Sequence, residues 1–471
     1  MDDRLKPFRV WNAMDGRREA VSPADVLPED DLVFFLLDLV PQLDLSAFYG
    51  FYSKDLRGQP PFNVVMMVTL LVYSYSVGVF SSRKIAVACE RNLAFRAIVG
   101  KDRPDFRTIN DFRSNHLGAM KSLFLSVLQV AGSLGMVRLG NLSTDGSKIE
   151  ANASRHKAMS YKYMLKDLQR LEQEIEQLLK QAADVDAEQD AALGIRRGDE
   201  LPEELKRREE RIKKITEAKA RLEAEAQTRA DAEQARRDAT QAVREAEGRK
   251  RPGKAPAPVD PTPEDKAQTN FTDAEAKIMK RSNKGFDYCF NSQVVVDGKH
   301  QIIVAAEVSN AANDKQQAVP LAKAAMENVA AANIERPRDE NGNLLPIVNT
   351  ADSGYNSEEN VRQVEELGIT PLYALGRQKH HEPQPATVTS VEADSATTPH
   401  ERMAQTLRTE AGRKLYAARK HIVEPVFGQI KHVRGFRKFL LRGLEKVAAE
   451  WKLICLTHNL LKIWRFAKSP T

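Results

Sequence analysis

Apolar residues recur at helical spacing through the first quarter of the chain. PEDDLVFFLLDLVPQLDLSAFY reads as an acidic first turn followed by an apolar helix, interrupted at Pro41, where the backbone N–H is missing. The most apolar run, FNVVMMVTLLVYSYSVGVF at residues 62–80, approaches the length that spans a bilayer. Asn63, Thr69, Ser74 and Ser76 interrupt it and the surrounding chain is polar, so a buried core helix is expected. SSRKIAVACERNLAFRAIVG predicts a Ser-capped helix ending at Gly100, and TINDFRSNHLGAMKSLFLSVLQVAGSLG predicts another capped by Thr108, with Asp111 three residues on. Arg83, Lys84, Arg107 and Arg113 on these helices fit either a helix-turn-helix-like DNA module or a helical scaffold with ordinary surface charge.

The period then changes. LGNLSTD, residues 139–145, predicts a short strand ending on Asp145, with Gly146 turning the chain away. From Tyr161 to about Gly248 charged residues, Gln and Ala dominate, and Leu168, Leu171, Ile175 and Leu178 form one apolar stripe, continued by Leu205, Ile212, Ile215 and Leu222. This pattern predicts a helical hairpin or coiled-coil-like arm, closed by the Pro-rich linker KRPGKAPAPVDPTPEDKAQTN. FDYCFNSQVVVD (286–297) and QIIVAAEVS (301–309) predict an antiparallel hairpin around Gly298. A helix at NDKQQAVPLAKAAMENVAAAN, a strand at NLLPIVNTAD, a helix at SEENVRQVEELG and a strand at GITPLYA follow, then a loop from about Gly376 to Pro399. A two-part helical segment from about Leu415 to Phe466, broken at VRGFRKFLLRG, ends the pattern.

Composition narrows the classes. At 471 residues and 42% hydrophobic, the chain can bury a large catalytic domain with additions. A net charge of +6 permits nucleic-acid binding without requiring it. Cys89, Cys289 and Cys455 are widely spaced in apolar surroundings and the nine histidines form no ligand motif, which points to buried thiols in a reducing cytoplasm and away from structural zinc. The acidic start MDDRLKPFRVW lacks the order of a secretory signal.

Three acids stand out: Asp145 in STDGSK, Asp352 in NTADSGY and Glu424 in KHIVEPVFG. Hard oxygen ligands fixed on separate elements suit divalent metal and phosphoryl transfer. Gly354 frees the chain beyond Asp352, Tyr355 is expected beneath that loop, and Ser357 is expected to cap the next helix. Glu424 lies among Ile422, Val423, Val426 and Phe427, where a carboxylate needs metal, a basic partner or exposure at a cleft. Lys431, seven residues on, shares roughly its helical face, and Tyr416 and Arg419 lie on the preceding turns. The alternative for Glu424 is an ordinary salt-bridged helix.

These motifs make the chain resemble bacterial insertion-sequence transposases of the DDE type. The likeness runs through PPFNVVMMVTLLVYSYSVGVF, PDFRTINDFR, TDGSKIEANAS, ADSGYNSEENV and YAARKHIVEPVFGQIKHVRGF, and covers most of residues 25–465 outside the arm and linker. It implies an α/β fold: a ribonuclease H-like mixed-sheet core with an N-terminal helical domain and a long helical insertion. It implies a helical, DNA-binding domain at 1–135, catalytic-core segments at 136–160 and 271–466, the insertion at 161–250 and a linker at 251–270. Asp145, Asp352 and Glu424 match the catalytic, metal-binding triad, and Tyr416, Arg419 and Lys431 the signature that positions DNA phosphates, although Arg419 stands five rather than four residues before the glutamate. The cofactor implied is Mg2+, for which Mn2+ can substitute. The partners implied are duplex DNA with terminal inverted repeats, target DNA and further copies of the chain on paired ends, with no membrane and a place on bacterial DNA in the cytoplasm. A metal-dependent nuclease without strand transfer and a nonenzymatic DNA-binding or coiled-coil scaffold are the competing functions.

Overall fold

The computed structural model describes residues 22–52, 61–193, 203–249, 253, 256–281, 285–376 and 398–468, with backbone alone at residues 24, 181–193 and 203–205. The N-terminal segment MDDRLKPFRVW and nearly all of the 376–399 loop lie outside these residues. The chain divides into two units, residues 1–119 with 464–471, and residues 120–463.

The first unit is helical: α1 (Pro23–Val26), α2 (Leu32–Leu39), α3 (Ser46–Tyr49), α4 (Val64–Ser76), α5 (Ser82–Arg91), α6 (Leu93–Val99) and α7 (Phe106–Asn115), with α8 (Leu117–Ser133) beginning after His116. Pro41 sits in a 3-10 turn after α2. α4 is the apolar run, buried from Met67 to Ser76; the hydroxyls of Thr69, Ser74 and Ser76 donate to carbonyls four residues back, which makes them compatible with burial. Among the described residues no helix is long and apolar enough to cross a membrane.

Two caps differ from expectation here. The helix expected from Ser81 to Gly100 is two helices, because Asn92 leaves helical geometry and its Oδ1 accepts from the N–H groups of Ala94 and Phe95. Asp105, not Thr108, caps α7, with Oδ1 accepting from Thr108 N at 2.7 Å. Arg113 is not a surface charge. It is 5% exposed and donates to Tyr75 Oη at 2.7 Å and to the Phe80 carbonyl at 3.2 Å, so it fastens the helices together. Arg83 and Arg107 are exposed beside the Phe106 ring, at 5.1 and 5.7 Å from its centroid.

The second unit is built on a mixed six-stranded sheet. Its strands are β1 (Asn141–Glu150), β4 (Lys277–Lys280), β5 (Phe286–Asp297), β6 (Ile303–Ser309), β7 (Ile347–Ala351) and β8 (Ile369–Tyr373); the short β2 (Ala158–Ser160) and β3 (Gln268–Asn270) form a separate ribbon. β1 is central, antiparallel to β5 on one side and parallel to β7 on the other, and β7 is parallel to β8. β4 and β6 line the far edge of β5. This is the order of a ribonuclease H-like core. β5 carries almost no exposed residue, as a strand covered on both faces requires. α11 (Ala318–Ala331) lies against β5 and β6, and α12 (Glu358–Glu366) and α13 (Pro399–Thr406) against β8. α14 (Glu410–Ile422) crosses β1, β7 and β8, and α15 (Glu424–Gly428) follows it. The final helix, α16 (Leu444–Ala467), is clasped to the hairpin by Asn459, whose amide bonds both N–H and C=O of Ile303, and by Trp451 Nε1, which donates to the Gln293 carbonyl at 3.0 Å.

Three further expectations are revised in this unit. β1 does not stop at Asp145 but runs five residues further, paired with β5 throughout. The linker ends as β3, which pairs with β2, and the late helical segment begins at Pro399. The arm is α9 (Tyr161–Leu193) and α10 (Glu203–Ala246), antiparallel by its pairings: Tyr161 Oη donates to Glu223 and Arg211 meets Asp167. Its root is a small core of Tyr161, Met164, Leu171, Ile215, Ala218 and Leu222.

Candidate active site

Asp145 and Asp352 meet because β1 and β7 are parallel neighbours. Ser143 stands opposite Thr350, and their buried hydroxyls are 2.8 Å apart. Two residues further on, each strand returns to the same face, and there it carries Asp145 and Asp352. Asp352 lies just beyond β7 and accepts from Gly354 N at 2.9 Å, while Ser357 accepts from Asn360 N as the cap of α12. Tyr355 is fully buried beneath the loop and donates to Gln293 Oε1.

Gly146 has a different purpose from the turn expected of it. A Cβ there would lie 2.2 Å from Gln293 Nε2, so glycine admits the Gln293 side chain against the continuous strand. Gln293 Nε2 donates to Asp314 Oδ1 at 2.7 Å, Asn291 Nδ2 donates to the same oxygen at 2.6 Å, and Lys148 Nζ does so at 2.9 Å. Asp314 is thus a third acid beside the aspartate pair. The sequence alone does not single it out, because NDKQ before a helix looks like a cap; Asp314 does stand at that position, but makes no side-chain cap bond.

α14 brings Arg419 to Asp145, with Nη2 3.2 Å from Oδ2, and Tyr416 one turn earlier feels the charges of Arg419, Asp352 and Asp145. Burial pushes the Asp145 carboxyl up to about 6; Arg419 and the Gly146 N–H oppose this, while Asp352 and Asp314 add to it. Burial likewise raises Tyr416 and lowers the Lys431 ammonium, the latter assisted by Arg281 and Arg437. Lys431 lies in a single π-helical turn, Gln429–Val433, and donates to Ser147 Oγ. The α-helical face expected to join Glu424 and Lys431 is therefore broken, since the chain widens into that turn between them.

Glu424 is exposed at the first position of α15, while its neighbours Val423, Val426 and Phe427 are buried. No hydrogen bond joins it to either aspartate among the described residues; Arg419 meets Asp145 instead. Both flanks of its segment are nevertheless tied to β1, through Arg419 to Asp145 and through Lys431 to Ser147. Glu424 itself stands after the break at Val423 that separates α14 from α15. The donor chemistry fits a hard divalent cation, because carboxylate oxygens on two adjacent strands crowd like charges that such an ion would relieve. Among the described residues no three acidic, histidine or cysteine side chains already form a metal-holding group.

Two stretches of the chain match known families. Residues 21–115 match Transposase domain (DUF772), and residues 378–464 match Transposase DDE domain. Together the two matches support an insertion-sequence transposase of the DDE type. The second match spans Tyr416, Arg419, Glu424 and Lys431 of this transposase, and the mixed sheet with its helical N-terminal region has the architecture of a DDE core. No curated protein and no solved structure matches the chain.

The raised Asp145 carboxyl has a thermodynamic consequence for the metal-free transposase. A folded pKa of about 6, above the unfolded value, contributes stability that is present below about pH 4 and lost as pH rises through 6. With metal chelated, the stability of wild type relative to Asp145→Asn should therefore fall by roughly 3 kcal/mol between about pH 4 and pH 7. Urea unfolding of both proteins across that range measures it, and a difference that does not vary with pH would remove the buried-carboxyl account.

Proposed function

We propose that the protein cuts DNA at the ends of its element and joins the released ends to target DNA, using Asp145, Asp352 and Glu424. The observation that carries this reading is the β1–β7 pair with its two adjacent aspartates, crossed by a segment that supplies Arg419, Glu424 and Lys431 in turn. The three carboxylates would hold Mg2+, which when bound supplies charge neutralisation and a more acidic nucleophile. Arg419 Nε is buried without a hydrogen-bond partner, so a phosphate oxygen reaching Asp145 would find a donor already in place. Lys431, with an ammonium partly desolvated beside Ser147, supplies a second phosphate contact, and Tyr416 packs next to Arg419.

In the first step water forms a bond to phosphorus at the element end, the bond from phosphorus to the 3′-oxygen breaks, and that oxygen leaves as a hydroxyl. In the second, this 3′-hydroxyl gives up its proton to solvent and bonds to a target phosphorus, and the target's 3′-oxygen is displaced and takes a proton from solvent to leave as a hydroxyl. No covalent bond to the protein forms. Sequence recognition is assigned to the N-terminal helices, where Arg83, Lys84 and Arg107 are exposed, together with parts of the insertion, and paired ends are assigned to more than one copy of the chain.

Water and a 3′-hydroxyl can take the same nucleophile position, so products must decide between transposition and simple hydrolysis. Purified protein with Mg2+, DNA carrying the flanking inverted repeats and an unrelated target duplex should yield joined end–target junctions on sequencing, which vanish in Asp352→Asn. Cutting without joining, under conditions that assemble paired ends, would select the nuclease.

A further inference from the structure

At the root of the arm lies a cavity of about 410 Å3, apart from the carboxylates. His156 and Lys157 form one wall, Arg211 and Lys214 another, and Ile215 and Phe271 are among its apolar lining. Among the described residues no acidic side chain lines it. Lys157 and Lys214 are exposed, and among the described residues neither they nor His156 pair with a carboxylate. Arg211 is held from behind by Asp167, which is almost wholly buried, with Nη2 2.9 Å from Oδ2.

The walls are fixed in place. Arg211 and Lys214 stand one turn apart on α10, so they share a side of the helix. Ile215 beneath them belongs to the buried core of the arm's root, against which Phe271 and Met159 pack. Phe271 N donates to the Lys157 carbonyl at 2.8 Å, which ties the wall carrying Lys157 to the segment following β3. A DNA backbone alternates charged phosphate with apolar sugar, and this cavity offers cations above an apolar floor. Its volume exceeds that of a lone phosphate ion and admits a nucleotide-sized length of backbone.

We infer that this cavity is a DNA-backbone site, in which Lys157, Lys214 and Arg211 grip phosphate while Phe271 and Met159 meet sugar. The inference rests on the chain acting on DNA, and it gives the arm's root a direct part in holding that substrate. Removing two lysine–phosphate pairs at physiological salt corresponds to about 10- to 30-fold in affinity, and to a fall of about 1.8 in the slope of log K against log salt. Lys157→Ala/Lys214→Ala should show both in fluorescence-anisotropy titrations of the full chain with an element-end duplex, and Lys157→Arg/Lys214→Arg should restore them.

A second measurement needs no variant. In the unaltered protein the same duplex should protect Lys157 and Lys214 from acetylation, read by mass spectrometry, while Lys213 on the opposite side of α10 remains reactive. Unchanged affinity and salt slope in the double alanine variant, or full acetylation of both lysines in saturating DNA, would overturn the site. Were wild type to join ends while these lysines stayed unprotected, the site would fail and the transposition reading would stand. Were wild type to protect them yet neither cut nor join, the site would stand and that reading would fail.

Discussion

Replacing Asp145 or Asp352 by Asn, or Glu424 by Gln, is expected to lower strand cleavage by about 10³-fold or more while leaving the fold in place. Each change removes a charge at nearly constant volume. The amide at 145 keeps an oxygen for the Gly146 N–H, and the amide at 352 keeps one for the Gly354 N–H, so local backbone bonds survive. Glu424 is exposed, and its loss frees no buried partner. End cleavage and circular dichroism should be measured on the same preparations. A variant that folds and cuts at near wild-type rate would strike its residue from the triad.

The second large effect is expected at Asp314. Asp314→Ala removes the acceptor shared by Lys148, Asn291 and Gln293, and should cost about 2–4 kcal/mol because donors that are partly or wholly buried lose a charged partner. Gln293 is also the partner of Tyr355 and the side chain that fills the space over Gly146, so its displacement disturbs the supports of both aspartates. Cleavage should therefore fall by at least about 10²-fold. Asp314→Asn retains an oxygen at the shared position and should recover most of the melting temperature and of the rate. Wild-type values of both in the alanine variant would show that the network does not support the site.

Legibility follows the reach of the interactions. β5, β6, β7 and β8 are readable because a strand covered by helices is a nearly continuous apolar run, as in SQVVVD and PIVNTA. α5 and α6 read as one helix because the break depends on Asn92, a residue equally at home inside a polar helix face. The long β1 looks shorter than it is because Asp145-Gly146 has the composition of a turn; only the side chain of Gln293, nearly 150 residues later, explains the glycine. Asp352 stands out by its position after an apolar strand, whereas Asp314 acquires its meaning from donors on β1 and β5 that no local pattern reveals. The proximity of Arg419 to Asp145 is likewise a matter of where α14 crosses the sheet.

The parallel pairing of β1 with β7 also sets a timetable for synthesis. Ser143 must wait for Thr350, 207 residues later, before their hydroxyls can meet. At about 5–20 residues per second, a ribosome needs about 10–40 s to deliver the second strand. Meanwhile α9 and α10, whose packing is local, can close into a hairpin as they emerge. The central strand of the core thus spends that interval with one edge unpaired, exposed to chaperones and to neighbouring nascent chains. A chain broken off before α14 would leave the ribosome with Asp145 and Asp352 but without Arg419 and Glu424, and so without one of the three carboxylates that the proposed reaction uses.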